Sequence, residues 1–63
     1  MEDLKTKLER LRSEAVDCEM IGNLATDKEK RDLFRKLARD LHNMAQDIES
    51  LIAMRAGAGD RTA

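Results

Sequence analysis

Residues that interrupt helices or build compact mixed folds are nearly absent from this sequence. It has no proline, tryptophan or tyrosine, and Phe34 is its single aromatic residue. Without proline, the commonest cause of a break inside a long helix is missing. One cysteine, Cys18, and one histidine, His42, can form neither an internal disulfide nor a structural zinc site. No apolar run approaches the roughly 18 residues of a membrane span, and the acidic residues 1–3 do not begin a secretory signal.

Charged residues make up 40% of the 63 residues and hydrophobic residues 41%. This balance is too apolar for a disordered chain and is typical of long amphipathic helices. The formal net charge of −1 argues against non-specific binding to nucleic acid. A chain this short usually needs disulfides, a metal or oligomerisation for stability. Because the residues for the first two are lacking, we expect an oligomer. The lone cysteine favours the cytoplasm, and Met1 leads us to expect a complete natural chain.

The segment Thr26-Asp27-Lys28-Glu29 predicts the start of a helix in the middle of the chain. It matches a capping box, in which the Thr26 side chain accepts a hydrogen bond from the Glu29 backbone N–H and Glu29 reaches back to Thr26. Asp27 and Glu29 also place negative charge at the positive end of the helix dipole. A helix that begins so soon after another helical pattern predicts a helical hairpin.

Apolar residues alternate at spacings of three and four on both sides of this start, as in helices that pack in pairs. The spacing predicts helix 1 over about 2–24, with Gly22 inside it, and helix 2 over about 27–55. The inner positions of helix 1 are Met1, Leu4, Leu8, Leu11, Ala15, Cys18, Gly22 and Ala25. Those of helix 2 are Phe34, Leu37, Leu41, Met44, Ala45, Ile48, Leu51 and Ile52, with Ala38 and Ala45 on one edge.

Small residues at the inner positions predict close helix packing near the turn. If the turn centres near Thr26, the antiparallel register places Cys18 opposite Phe34, Ala15 opposite Leu37 and Ala38, Leu11 opposite Leu41, and Leu4 opposite Ile48. Gly57 is a natural helix stop. Residues 1–56 are therefore predicted to form the hairpin and residues 57–63 a flexible tail.

The apolar surface is wider than the contact between two helices can cover. The side chains that the second helix would leave exposed are Val16, Met20, Ile21, Leu24, Leu33, Met44 and Leu51. Exposed apolar clusters mark interfaces, so we predict that these residues join two hairpins. The predicted fold is all-α, an antiparallel hairpin assembling as a homodimeric four-helix bundle with coiled-coil packing.

Candidate binding residues are few. The basic residues at the start of helix 2 are Lys28, Lys30, Arg31, Arg35 and Arg39. They form either a phosphate or nucleic-acid surface or, as we favour, a solvated face with ordinary pairs four residues apart. His42 and Cys18 are interpreted as packing residues. No catalytic, cofactor or metal-binding constellation is present, which favours a non-enzymatic protein.

Part of the sequence resembles a pattern in short bacterial proteins of unknown activity, mostly from soil alphaproteobacteria. Ala15 and Cys18 match its first part, A-x-x-C, and residues 25–38 match A-T-D-x-E-K-R-x-x-F-x-x-L-A. The resemblance implies a helical hairpin and no assigned activity. In length and topology the chain is also similar to Rop, a plasmid-encoded RNA-binding dimer of helical hairpins.

The predicted function is protein interaction or regulation by a small oligomeric helical protein. A second copy of the chain is the favoured partner, and a different helical protein is an alternative. A small nucleic-acid-binding modulator using the basic start of helix 2 is the other alternative, with nucleic acid the less favoured partner. No membrane partner and no cofactor are expected.

Overall fold

The computed structural model describes the backbone of residues 3–62 and the side chains of residues 3–55. It contains two helices, α1 (Leu4–Leu24) and α2 (Lys28–Thr62), and the described residues form no strand. The helices pack against each other along an elongated body of 54 × 19 × 14 Å. The predicted helical hairpin is therefore confirmed, with Gly22 inside α1 as expected.

An aspartate precedes each helix, and its carboxylate accepts a hydrogen bond from a backbone N–H of the first turn. Asp3 Oδ1 accepts a hydrogen bond from the Thr6 N–H at 2.8 Å. This hydrogen bond lowers the pKa of the fully exposed Asp3 carboxyl below its ordinary value. The N–H groups of a first turn have no partner within the helix, so such a cap fixes where α1 begins.

The predicted capping box at Thr26 is wrong by one residue. Asp27 Oδ1 accepts a hydrogen bond from the Glu29 N–H at 3.3 Å, and the Asp27 carbonyl accepts one from the Arg31 N–H at 3.0 Å. Asp27 is therefore the N-cap, and α2 begins at Lys28. Aspartate is at least as good an N-cap as threonine. Because two good N-cap residues follow each other, the sequence pattern is compatible with a helix start at either one.

The seam between the helices is lined by residues at alternating spacings of three and four. Its buried members are Leu8, Leu11, Ala15, Gly22, Ala38 and Ala45. The prediction that Ala38 and Ala45 lie at the edge of the α2 stripe is wrong, because both are at most 4% exposed. Leu37, predicted as an inner residue, is 38% exposed. Methyl side chains at the centre of the seam let the helices approach closely, and the larger leucine is displaced to the side.

The predicted antiparallel register is also wrong. A Cβ built at Gly22 would lie 3.5 Å from Phe34 Cβ, whereas the prediction placed Phe34 opposite Cys18, so each α1 residue faces an α2 residue about four residues later than expected. Ala25, which follows α1, has extended dihedrals of φ −71° and ψ 132°. Extended residues advance about 3.3 Å each, against 1.5 Å in a helix. The turn therefore carries the chain beyond the end of α1. More residues of α2 are then needed before the helix lies beside a given residue of α1.

Helix α2 continues to Thr62, past the predicted end near residue 55. Glycine ends a helix where it adopts left-handed dihedrals, and elsewhere it only weakens the helix by about 1 kcal/mol. Gly57 was therefore an ambiguous stop signal. The side chains of residues 56–63 and the initial residues 1–2 lie outside the described part of the chain, so the flexibility of the 57–63 tail stays a prediction.

Gly22 marks the close approach of the helices, and its replacement tests the packing there. A Cβ built at Gly22 would lie 3.4 Å from the Arg31 carbonyl oxygen and 3.4 Å from Arg35 Cγ, both ordinary contact distances. Gly22→Ala should therefore raise the free energy of unfolding by about 0.5–1 kcal/mol through helix propensity. Urea unfolding followed by circular dichroism measures the change. Gly22→Leu is the paired variant, and it should destabilise the chain because its longer side chain meets backbone. A loss of stability in Gly22→Ala would contradict the packing described here.

Candidate interaction surface

The hairpin has two flanks of opposite character, one on each side of the seam. The charged flank is formed by Arg12 and Glu19 of α1 with Glu49 and His42 of α2, which pair across the helices. On the opposite flank, five exposed apolar side chains replace such pairs. By helical angle, this apolar flank consists of Ile21, Leu33, Leu37, Met44 and Leu51.

Helical angles place these residues on opposite sides. At about 100° per residue, Ile21 lies nine residues and half a turn of angle from Arg12. Leu33 and Leu51 lie nine residues before and after His42, so both lie on the side of α2 that is turned away from it. The same angle puts Leu37 and Met44 about 140° from His42 and Glu49. The sequence alone predicted exposed apolar residues but not that one flank would collect them.

The ion pairs of the charged flank affect how the two helices are aligned more than how stable the hairpin is. His42 Nε2 lies 2.7 Å from Glu19 Oε1, and an Arg12 guanidinium nitrogen pairs with Glu49 Oε2. All four side chains are about half exposed, and exposed ion pairs contribute only about 0–1 kcal/mol. These pairs fix the register and favour the antiparallel arrangement.

The structure divides the five basic residues of the predicted phosphate surface. By helical angle, Lys28, Arg35 and Arg39 lie on the charged flank, whereas Lys30 lies seven residues before Leu37 on the apolar flank. Arg31 is half-buried in the seam. A single patch of five cations is therefore absent from this hairpin.

Two of those cations share a shallow groove on the charged flank. Arg35 and Arg39 line it with Asn23, His42 and Glu19, and Ala38 forms its floor. Neither arginine makes an ion pair within the described part of the chain. Paired guanidinium groups with an amide can hold a carboxylate or phosphate oxygen, although Glu19 in the same groove opposes an anion.

The predicted interface residues do not all lie together. Ile21, Leu33, Met44 and Leu51 belong to the apolar flank, and whether they form an interface stays a prediction. Val16 lies four residues from Arg12, so it is on the charged side. Met20 and Leu24, four residues apart, are on the back of α1, away from the seam.

Sequence reasoning missed Leu37, which lies seven residues before Met44 and belongs to the same flank. The signal was available in the heptad repeat. Once Ala38 and Ala45 are taken as the seam, their preceding neighbours Leu37 and Met44 fall together beside it.

The remaining candidate residues show no site chemistry. Cys18 is half-buried in the seam and is not bonded to another cysteine. Among the described side chains, no three histidine, cysteine or acidic residues come close enough to hold a metal ion. Neither helix, over the residues that could be searched, has a segment long and apolar enough to cross a membrane.

Comparison with known proteins gives no relative from which a function could be transferred. The chain matches no family model, and it has no significant match among curated proteins or solved structures. The function must therefore be argued from the geometry of the hairpin.

Proposed function

We propose that this chain is a small non-enzymatic protein that acts in protein interaction or regulation and pairs with itself through the apolar flank. The supporting observation is that all five side chains of this flank remain exposed in the single hairpin. Their exposure ranges from 38% for Leu37 and Leu51 to 54% for Leu33. Two hairpins joined by these flanks would form an antiparallel four-helix bundle.

The small core of the hairpin supports the need for a partner. No large side chain among the described residues is fully buried, and three of the buried seam residues are alanines. A single small core rarely supplies more than about 3–5 kcal/mol. Covering five more apolar side chains in each chain would contribute on the order of 1.5–3 kcal/mol each.

The exposed area supports the same proposal. The chain exposes 5148 Å², whereas a compact monomer of 7.2 kDa exposes about 4,100 Å². The excess is roughly 1,000 Å², close to the ~800 Å² that each partner buries in an interface of standard size. One dimer contact would therefore bring the chain to the exposure expected of a folded protein.

The location and the absence of catalysis are part of the proposal. A free, half-buried thiol at Cys18 suits the reducing cytoplasm. The ring of His42, the only histidine, is engaged with Glu19 and makes no hydrogen bond to the Cys18 thiol. The pairing of a nucleophile with a general base that covalent catalysis requires is therefore not seen between these two residues.

A small nucleic-acid-binding modulator is the second candidate. The observation in its favour is the groove where Arg35 and Arg39 lie together without carboxylate partners among the described residues. The exposed aromatic side chains that bases stack on are lacking, because Phe34 is the only aromatic residue and is half-buried. We therefore rank this function second.

Sedimentation equilibrium combined with circular dichroism at the same concentrations tests the proposal. A helical dimer is expected, and its thermal midpoint should rise with protein concentration because association stabilises the folded state. An otherwise folded monomer would overturn self-association. In that case a titration with single-stranded oligonucleotide at low and high salt separates the remaining candidates. Salt-sensitive binding would favour the nucleic-acid modulator, and its absence would favour a different helical partner.

A further inference from the structure

The apolar stripe of α2 has a symmetric layout about Met44. Leu37 lies seven residues before Met44 and Leu51 seven residues after it. When two such helices run antiparallel, residues equally distant from the centre face each other. Leu37, Met44 and Leu51 can therefore cover one another across a two-fold axis, while Leu33, eleven residues before Met44, lies opposite Arg55 at the end of the stripe.

We propose that the partner is a second copy whose α2 lies antiparallel on this α2, with the two Met44 side chains meeting on the two-fold axis. The inference rests on the proposed function and specifies how the two hairpins join. Leu37 then faces the partner's Leu51. A two-fold interface requires this reciprocity. If one residue of the first copy contacts a second residue of the other copy, the same two residues also meet with the copies exchanged.

The charged residues beside the stripe are compatible with this arrangement. Asp40 and Asp47 each lie three residues from a stripe residue, about 60° towards the outer edge, and both are exposed. The two aspartates face each other only at the rim, where water screens like charges. They disfavour extension of the contact and limit it to the stripe.

The other two-fold arrangement places the turns of both hairpins at the same end. Helix α2 would then pack on the partner's α1, which carries apolar residues on this flank only near the turn. Given the observed register, Met44 would lie near the partner's Glu14 and Leu51 near the partner's Lys7. Two apolar side chains of each stripe would be covered by charged groups, so this arrangement covers less of the stripe.

Disulfide trapping distinguishes the two arrangements. In a Cys18→Ser background, Met44→Cys is expected to cross-link to its own copy under mild oxidation, because a residue on the axis meets itself within the distance a disulfide spans. Leu37→Cys and Leu51→Cys should cross-link when mixed, and much less when each is alone. Met20→Cys, on the back of α1, is the matched control and should stay monomeric on denaturing gels.

A second measurement keeps the inference testable if a cysteine disturbs the stripe. Spin labels on Thr26→Cys, in the turn, should lie at opposite ends of the bundle, roughly 54 Å apart. A short label distance, with cross-linking between Glu14→Cys and Met44→Cys, would overturn this arrangement while leaving the dimer intact. A monomer in sedimentation, with no dipolar signal, would instead overturn the proposed function.

Discussion

Leu11→Ala is expected to destabilise the folded chain strongly, both as a single hairpin and within the proposed dimer. Leu11 is 3% exposed and lies in the core cluster with Leu8 and Ala45. Truncating a buried leucine costs about 2–5 kcal/mol through lost burial and the cavity that remains. A core of this size supplies only about 3–5 kcal/mol, so one substitution removes most of its contribution. Circular dichroism at 222 nm across a urea titration measures the loss.

Met20→Ala is the matched control for Leu11→Ala. Met20 is 56% exposed and lies on the back of α1, so its truncation should change the free energy of unfolding by less than about 0.5 kcal/mol. Equal losses in the two variants would show that the seam described here is not the core. An unchanged Leu11→Ala variant would show the same.

Leu37→Lys is expected to dissociate the proposed dimer without preventing formation of the hairpin helices. Each dimer would lose two buried leucine side chains, at about 1.5–3 kcal/mol each, and would have to cover two ammonium groups. The dissociation constant should therefore rise by about a hundredfold to ten-thousandfold. Sedimentation equilibrium measures the constant, and the thermal midpoint should become nearly independent of concentration.

Val16→Lys introduces the same charge on the opposite side of the hairpin. Val16 is 49% exposed and lies on the charged side of α1, so this variant should keep the parent dissociation constant. If Val16→Lys dissociates the dimer and Leu37→Lys does not, the interface lies on the charged flank. If neither does, the contact lies on neither of the two flanks.

Elements of the fold that depend on local residue patterns could be predicted from the sequence. Spacings of three and four identified α1 and most of its seam, including Leu8, Leu11 and Ala15, because burying a continuous stripe is the strongest constraint on a helix of this length. The presence of a helix start near Thr26 was equally clear. Its cap was off by one residue, since Thr26 and Asp27 offer similar capping chemistry.

The candidate site was predictable in part. That Ile21, Leu33, Met44 and Leu51 exceed what one partner helix covers follows from their spacing. Their collection on one flank does not, since it depends on which residues of α2 occupy the seam. The sequence pattern predicts Ala38 at the edge and Leu37 inside, whereas close packing selects the smaller side chain for the centre.

By itself, the sequence determined that this protein is a pair of amphipathic helices with more apolar surface than one pair can bury. Composition and periodicity act locally along the chain, so they are sufficient for that conclusion. Only the tertiary structure decided the register and the separation of a charged flank from an apolar one. Both depend on how far the extended turn at Ala25 carries α2 past the end of α1 and on how closely the backbones approach at Gly22.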